Sequence, residues 1–269
     1  FRDWMEAVFG YKYSIEGRVI KFSHRTTSFQ DVQVKEVTSY NDFQHSVNSS
    51  LIYSEVKAGY DKQDYDSVNG RDEYHFGISF TTGLKLTNNT LNLISPYRAD
   101  CYGIEFLIQK RGEDTTDSSS DKDIFFVGAQ TGSINGEIGF VLVREDSLGG
   151  VISPETQFNS MFSPRRCIEA NKEFIGACTN LLTFASSEGN SDVSINGVRE
   201  DADIQLNKNG RLFTVGEIEF KTPEYKAPEN IEGYVKIIHK GEEYRGWIKK
   251  VDVNQGRTEA SKFTLIEKG

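Results

Sequence analysis

The 269 residues are enough for one large domain or two ordinary ones, each with a buried apolar core. The net charge of −9 argues against nucleic acid or anionic lipid as a partner, because binding to either depends on clustered Lys and Arg. Apolar runs such as Phe140–Val143 are strand-sized, far short of the roughly 20 residues that a membrane-spanning helix needs.

The N-terminal third predicts one short helix followed by short strands. Arg2–Phe9 predicts the helix, because its apolar residues can share one face. In Tyr13–Ser23, β-branched and aromatic residues alternate about Glu16-Gly17, which predicts two strands joined by a turn. Val32–Val37 alternates cleanly and is short, as expected of a strand at a sheet edge. Further strands are predicted at Leu51–Tyr60 and Tyr74–Phe80.

The central third predicts two helices with strands between them. Pro96–Lys110 contains apolar residues at helical spacing and predicts the first helix. Ser163 followed by Pro164 predicts the start of the second, with Ser as N-cap and Pro at the first helical position. The residues predicted to form one face of this helix are Ile168, Ile175, Cys178 and Leu182. Between the helices, the sequence predicts an acidic loop at Gly112–Asp123 and strands at Ile124–Ala129 and Glu137–Val143.

The C-terminal third predicts a hairpin with a defined register. A turn at Lys240-Gly241 fixes which residues face one another, although the like-charge pair leaves an offset register open. The predicted pairs are Ile238–Glu243, Ile237–Tyr244, Lys236–Arg245, Tyr234–Trp247 and Glu232–Lys249. Phe263–Ile266 predicts a third strand of the same small sheet.

These elements predict the fold class: α+β, mainly β, with small β-barrel or sandwich units and two or three inserted helices. Residues 1–58 are predicted to hold the N-terminal helix and short strands, as part of a first β unit. Residues 59–205 are predicted to form a central α+β region. Residues 206–269 are predicted to form a small C-terminal sheet or barrel unit.

No stretch of the sequence carries a catalytic motif. The four histidines are scattered and lack metal-ligand spacing, and GxSxG, P-loop and GxGxxG motifs are absent. The weak metal candidates are Asp61, Asp64, Asp66 and Asn69, hard oxygen ligands of the kind that calcium prefers. Their spacing breaks the EF-hand template, so a solvated acidic turn is favoured over a metal site. We therefore predict a non-enzymatic protein without a cofactor.

Aromatic and acidic residues leave two other functions open. A carbohydrate-binding or adhesin module would need an aromatic platform, for which the candidates are Tyr60, Tyr65, Tyr74, Tyr97 and Trp247. Packing in a core or interface is the commoner use of such residues. A glycan hydrolase would need two carboxylates set apart in space, and the 40 acidic residues include too many eligible pairs.

The three cysteines, Cys101, Cys167 and Cys178, form an odd number without paired spacing. All three lie among apolar or helical residues, so we predict buried free thiols. Free thiols are typical of a reducing compartment such as a bacterial cytoplasm.

Several segments together resemble large tail-associated structural proteins of phages and prophages from Bacteroidetes-type gut bacteria. In chain order they are Ile52–Glu73, Ile94–Glu105, Phe158–Arg166, Leu182–Asn190 and Phe220–Pro223, followed by the C-terminal hairpin. The resemblance spans the whole chain, and its motifs are structural. The residues matched to it are Gly59, Tyr60, Asn69, Gly70, Arg71, Tyr97, Arg98, Ala99, Asp100, Pro164 and Arg165.

The resemblance implies a virion protein, assembled in the bacterial cytoplasm, that acts as a hub or baseplate-like component of a tail. It further implies a homo-oligomeric ring with other tail or baseplate proteins as partners, and no catalytic residues. The candidate interface or binding residues are Tyr60, Tyr65, Arg71, Tyr97, Arg98 and Trp247.

Overall fold

The computed structural model describes residues 1–60, 77–97, 129–142, 163–188, 192–223, 228, 230–253 and 260–269. The chain is mainly β with a few short helices, and its sheets curl into a half-barrel, which confirms the predicted fold class. The helices are α1 (Arg2–Phe9), α2 (Pro164–Glu169) and α3 (Lys172–Ile175). Single 3₁₀ turns lie at Arg25–Ser28 and Ser49–Leu51.

The strands, numbered in chain order, are β1 (Tyr11–Glu16), β2 (Val19–His24), β3 (Gln33–Val37), β4 (Asn41–Val47), β5 (Glu55–Tyr60), β6 (Gly77–Thr81), β7 (Thr90–Ser95), β8 (Ala129–Ile134), β9 (Glu137–Leu142), β10 (Leu181–Glu188), β11 (Ser194–Ile195), β12 (Val198–Arg199), β13 (Ile204–Gln205), β14 (Phe213–Thr222), β15 (Tyr234–His239), β16 (Glu242–Asp252) and β17 (Ser261–Lys268). They form a five-stranded sheet in the order β13-β10-β6-β5-β7 and a six-stranded sheet in the order β3-β15-β16-β17-β14-β4. The pairs β1-β2, β8-β9 and β11-β12 form separate two-stranded sheets.

The five-stranded sheet buries one face under helices α1 and α2. Alternation along β5 and β6 sends Val56, Ala58, Ile78 and Phe80 to that face, where each is almost fully buried. Trp4 of α1 packs there, and its indole N–H donates a 2.8 Å hydrogen bond to Ser95 Oγ. This first core therefore holds the N-terminal helix as predicted.

The six-stranded sheet curls around its own core. Phe220 and Phe263 stack at its centre with ring centroids 5.3 Å apart. Phe43 on edge strand β4 stacks on His239 at the end of β15 with a centroid distance of 4.0 Å, although three strands separate β4 from β15 in the sheet order. Such a contact requires strong curvature, which is the half-barrel geometry.

The C-terminal hairpin has the register predicted from its turn. Tyr234 faces Trp247, Lys236 faces Arg245 and Ile238 faces Glu243. The like-charge pair is tolerated because Lys236 Nζ also lies 3.3 Å from Glu36 on β3 and 3.6 Å from Glu243.

The predicted Glu232–Lys249 pair is wrong, because the described ladder of β15 and β16 ends at Tyr234–Trp247. Lys249 Nζ instead lies 2.6 Å from Glu217 on β14, and Glu232 accepts a hydrogen bond from Gln30. Lys249 therefore pairs with a glutamate of β14, which lies beyond β17 in the sheet, instead of with Glu232.

The second predicted helix begins as expected but is broken. Ser163 Oγ accepts a hydrogen bond from the amide of Arg166, which confirms the N-cap. The helix stops because Asn171 turns its amide onto the carbonyls of Cys167 and Ala7. The prediction that four residues share one face of this helix is therefore wrong. Ile168 lies on α2, Ile175 on α3, Cys178 in the following turn and Leu182 on β10.

Other strand predictions are confirmed with shifted bounds. Val32–Val37 corresponds to β3, which lies at the edge of the six-stranded sheet. The predicted Ile124–Ala129 strand is not confirmed, because only its last residue is described, as the first residue of β8. Residues 124–128, the predicted Pro96–Lys110 helix beyond Tyr97 and the Gly112–Asp123 loop lie outside the described residues.

The domain boundaries after residues 58 and 205 stay predictions. The six-stranded sheet itself takes β3 and β4 from the first predicted segment and β14 to β17 from the last. These two segments therefore share one sheet and one core.

Candidate functional site

The hairpin of β1 and β2 is amphipathic because apolar and polar residues alternate on both of its strands. Cross-strand pairing places Tyr13 opposite Phe22 and Ile15 opposite Ile20, so all four side chains share one face. The two strands are joined by a two-residue turn that begins at Gly17. The hairpin thus presents an apolar strip that runs to its tip.

The base of this hairpin is anchored and its tip is not. Phe22 packs edge-on against Phe1 at 6.0 Å, and the Arg2 guanidinium donates to the Tyr13 hydroxyl at 3.4 Å. At the tip, Ile15 is 66% exposed and Ile20 is 61% exposed. Val19 on the opposite face is exposed as well. We call these three residues the apolar tip.

A second hairpin, β8-β9, also exposes large apolar side chains. Its two-residue turn, Asn135-Gly136, has positive φ at both positions, the type I′ geometry that favours tight hairpins and that glycine adopts without strain. Ile138 and Phe140 lie on one face of β9 and are 87% and 79% exposed. Single exposed apolar residues are ordinary, but grouped ones mark contact surfaces.

A cleft of about 640 Å³ lies where the two large sheets meet, and we call it the junction cleft. One wall is the segment from Gln205 to Leu212, which links β13 to β14, and another comprises Lys172 and Glu173 of α3. Its volume is within the range of small-molecule sites in proteins.

The floor of the junction cleft is aromatic but mostly covered. Phe29 contacts the edge of Trp247 at a centroid distance of 5.4 Å, and Phe213 packs behind both. The Trp247 indole N–H donates a 2.9 Å hydrogen bond to the Leu212 carbonyl, and Lys268 Nζ lies 5.9 Å from the indole centroid. The floor is therefore a rigid packed cluster.

The described candidates for an aromatic platform, Tyr60, Tyr97 and Trp247, pack inside the protein at separate places. Trp247 is 2% exposed and belongs to the aromatic cluster at the floor of the junction cleft. Tyr60 is buried on β5, and Tyr97 packs edge-on against Trp4 at 5.1 Å beside the first core. These three rings do not form one exposed platform, because Tyr60 and Trp247 are buried and Tyr97 packs against the first core. Tyr65, Arg71, Tyr74, Arg98 and the acidic candidates Asp61, Asp64, Asp66 and Asn69 lie outside the described residues.

The described residues contain no group of three or more His, Cys, Asp and Glu placed to hold a metal ion. Cys167 and Cys178 are free thiols, in line with the sequence prediction. Cys167 is buried, and this burial raises the pKa of its thiol to about 12, so it stays protonated and unreactive. Cys178 is half-buried, and Cys101 lies outside the described residues.

Arg165, one of the residues matched by resemblance, has a structural role. Its buried guanidinium donates to the carbonyls of Ala202, Arg199 and Asp203, which ties α2 to the turn before β13. Pro164 occupies the first turn of α2 as expected.

Comparison with known proteins gives no relative. No family model matches the chain, and no curated protein or solved structure does either. Within the part of the chain that the structure describes, no helix is long and apolar enough to cross a membrane.

The sequence did not predict the exposed apolar residues of the two hairpins, nor the junction cleft. The alternation in Tyr13–Ser23 predicted two strands joined by a turn, but not that Ile15 and Ile20 would lie exposed at the tip, where the described residues provide no packing neighbour. The strand at β9 was predicted, and the Asn135-Gly136 pair was the local signal that could have placed β8 directly before it. The junction cleft carried no motif, since its lining comes from five separate parts of the chain.

Proposed function

We propose that the chain is a non-enzymatic structural protein that acts by assembling with further copies of itself. The observation that carries this proposal is the apolar tip of the β1-β2 hairpin, with Ile15 and Ile20 paired and exposed. An isolated two-stranded hairpin is marginal in water, so a projecting one gains stability when another chain covers it.

The energetic case rests on the area that the tip would bury. Ile15 is 66% and Ile20 is 61% exposed, so covering each contributes about 1–2 kcal/mol, or about 2–4 kcal/mol per hairpin. That is enough to change a dissociation constant by roughly thirtyfold or more. The exposed Ile138 and Phe140 on the β8-β9 hairpin add a second surface of the same kind.

A tail hub or baseplate-like component of a phage or prophage is the finer form of the proposal. It is supported by the resemblance in sequence, by the mainly β fold and by the exposed hairpins. In this form the partners are copies of the chain and other tail proteins, and the protein is part of the virion. Tail and capsid genes beside the gene for this chain would support it, and a gene neighbourhood of metabolic enzymes would contradict it.

The assembly proposal is tested by light scattering coupled to size-exclusion chromatography, over a range of protein and salt concentrations. The wild-type chain is expected to form a defined oligomer. The variant Ile15→Thr/Ile20→Thr is expected to run as a monomer, because Thr keeps the β-branched shape but removes most of the apolar surface.

Val47→Thr is the matched control, since Val47 is 66% exposed on β4, away from the hairpin. It is expected to assemble like the wild type. Wild-type protein that stays a compact monomer in all conditions would end the proposal. So would a double variant whose oligomer matches that of the wild type.

A further inference from the structure

The junction cleft differs from the rest of the surface in the charges that line it. Four basic side chains, Lys172, Lys208, Arg211 and Lys268, face two acidic ones, Asp31 and Glu173. The whole chain, by contrast, has 40 acidic residues and 31 basic ones. The cleft is therefore a basic site on an acidic protein.

Most cations on the six-stranded sheet are already neutralised by a carboxylate. Lys236, Lys249 and Lys262, for example, lie within 3.3 Å, 2.6 Å and 3.0 Å of glutamates. In the cleft, Lys268 Nζ is paired with Asp31 at 3.3 Å. Among the described residues, Lys172, Lys208 and Arg211 have no carboxylate within ion-pair distance, so their charges are left for a ligand.

The wall that carries Lys208 and Arg211 is held at both ends. At its start, the Asn207 side-chain amide donates to the carbonyls of Gly176 and Thr179, each at 3.0 Å, and to Asn180 Oδ1 at 2.9 Å. At its end, the Leu212 carbonyl accepts from the Trp247 indole. A Cβ at Gly176 would lie 2.6 Å from Asn207 Oδ1 and 2.8 Å from the Lys172 carbonyl oxygen, so a larger residue there would displace Asn207.

Arg211 is itself oriented by Asn180, which lies just before β10. Its guanidinium donates to Asn180 Oδ1 at 3.2 Å, the same oxygen that receives the Asn207 amide. Four of the five guanidinium N–H groups remain beyond that one bond, and the fork suits the two oxygens of a carboxylate or phosphate. A wall ordered before binding reduces the entropy that a ligand must offset.

From the cavity, the unpaired cations and the preordered wall, we propose that the junction cleft binds a small ligand carrying a carboxylate or a phosphate. Lys208 and Arg211 on one wall and Lys172 on α3 contact the anionic group. The polar side chains of Gln205 and Asn209 contact the remainder of the ligand. This site is independent of the hairpin surfaces proposed for assembly.

Isothermal titration calorimetry of the full chain tests the site with inorganic phosphate, citrate, glucuronate and glucose. At least one of the three anions is expected to bind at low ionic strength, more weakly as sodium chloride is added, while neutral glucose does not bind. Binding of phosphate alone, or of the carboxylates alone, identifies which anion the site takes. Absence of binding by all three anions would overturn the proposal.

Two variants locate the site. Lys208→Gln/Arg211→Gln is expected to weaken binding of that anion at least tenfold. Lys85→Gln removes one positive charge from an exposed residue outside the cleft and is expected to leave affinity unchanged within about twofold. Equal losses in the double variant and in Lys85→Gln would show general charge attraction and would overturn the assignment. Unchanged unfolding curves exclude misfolding as the cause.

Discussion

The β1-β2 and β15-β16 hairpins have the same local design and opposite surroundings. Each has a two-residue turn, and each carries an aromatic cross-strand pair: Tyr13 with Phe22 at 6.5 Å, and Tyr234 with Trp247 at 6.1 Å. The β15-β16 hairpin lies between β3 and β17, whereas β1 and β2 pair only with each other among the described strands. Turn and pairing chemistry therefore make a hairpin, and distant strands decide whether its apolar residues are buried.

The largest expected effect comes from truncating one isoleucine in each hairpin. Ile237 on β15 is fully buried and Ile20 on β2 is mostly exposed. Ile237→Ala is expected to lower the free energy of unfolding by about 2–5 kcal/mol, because it removes buried methyl groups and leaves a cavity. Ile20→Ala is expected to change it by less than about 0.5 kcal/mol in the monomer.

Urea denaturation at protein concentrations that keep the chain monomeric measures both changes. A large loss in Ile20→Ala under those conditions would mean that the β1-β2 tip is packed within the monomer. The two hairpins would then not differ in the burial of their apolar residues.

A smaller effect is expected from removing one polar group of an aromatic pair in each hairpin. Trp247→Phe removes the N–H that bonds the Leu212 carbonyl and leaves a small void, so a loss of about 1–2 kcal/mol is expected. Tyr13→Phe removes an exposed hydroxyl whose bond to Arg2 is 3.4 Å long, and little change is expected. Thermal unfolding of the two variants beside the wild type measures the difference, and equal shifts would contradict it.

The smallest effect concerns the charges on the outer face of the β15-β16 hairpin. A hydrogen bond from Arg245 and its positive charge lower the pKa of the Glu243 carboxyl. A lowered folded-state pKa favours the folded chain above the ordinary glutamate pKa, and this contribution is lost as the pH falls through the lowered value.

An NMR titration of the Glu243 carboxyl is expected to show a midpoint below that of an ordinary glutamate. In Arg245→Gln the midpoint is expected to rise, since the hydrogen bond from the cation is lost. The pair is exposed, so its effect on stability is expected to be slight. An unchanged midpoint in the variant would show that Arg245 does not set this pKa.

Local chemistry explains what could be predicted from the sequence. The turn at Lys240-Gly241 set the register of β15 and β16, and Ser163 before Pro164 marked the start of α2. Both signals act within a few residues, and their geometry is nearly independent of the rest of the fold.

Long-range packing explains what could not be predicted. The break at Asn171 depends on the carbonyl of Ala7, 164 residues away in the chain. Burial of Trp247 depends on Phe29 and Phe213, so a candidate for a binding platform became part of a core. The junction cleft combines residues from Thr26 to Gly269, and no local pattern marks such a site.

The pairing of β3 with β15 and of β4 with β14 has a consequence for folding during synthesis. Residues 33–47 cannot join their sheet until residues 213–268 have left the ribosome, so the half-barrel forms late. Contacts between such distant residues slow folding, because a long loop must close before the contact stabilises the chain. Until then Val37 and Phe43 lack the residues of the six-stranded sheet that cover them in the folded protein. We therefore expect a chaperone that shields short β segments to raise the yield of the folded protein.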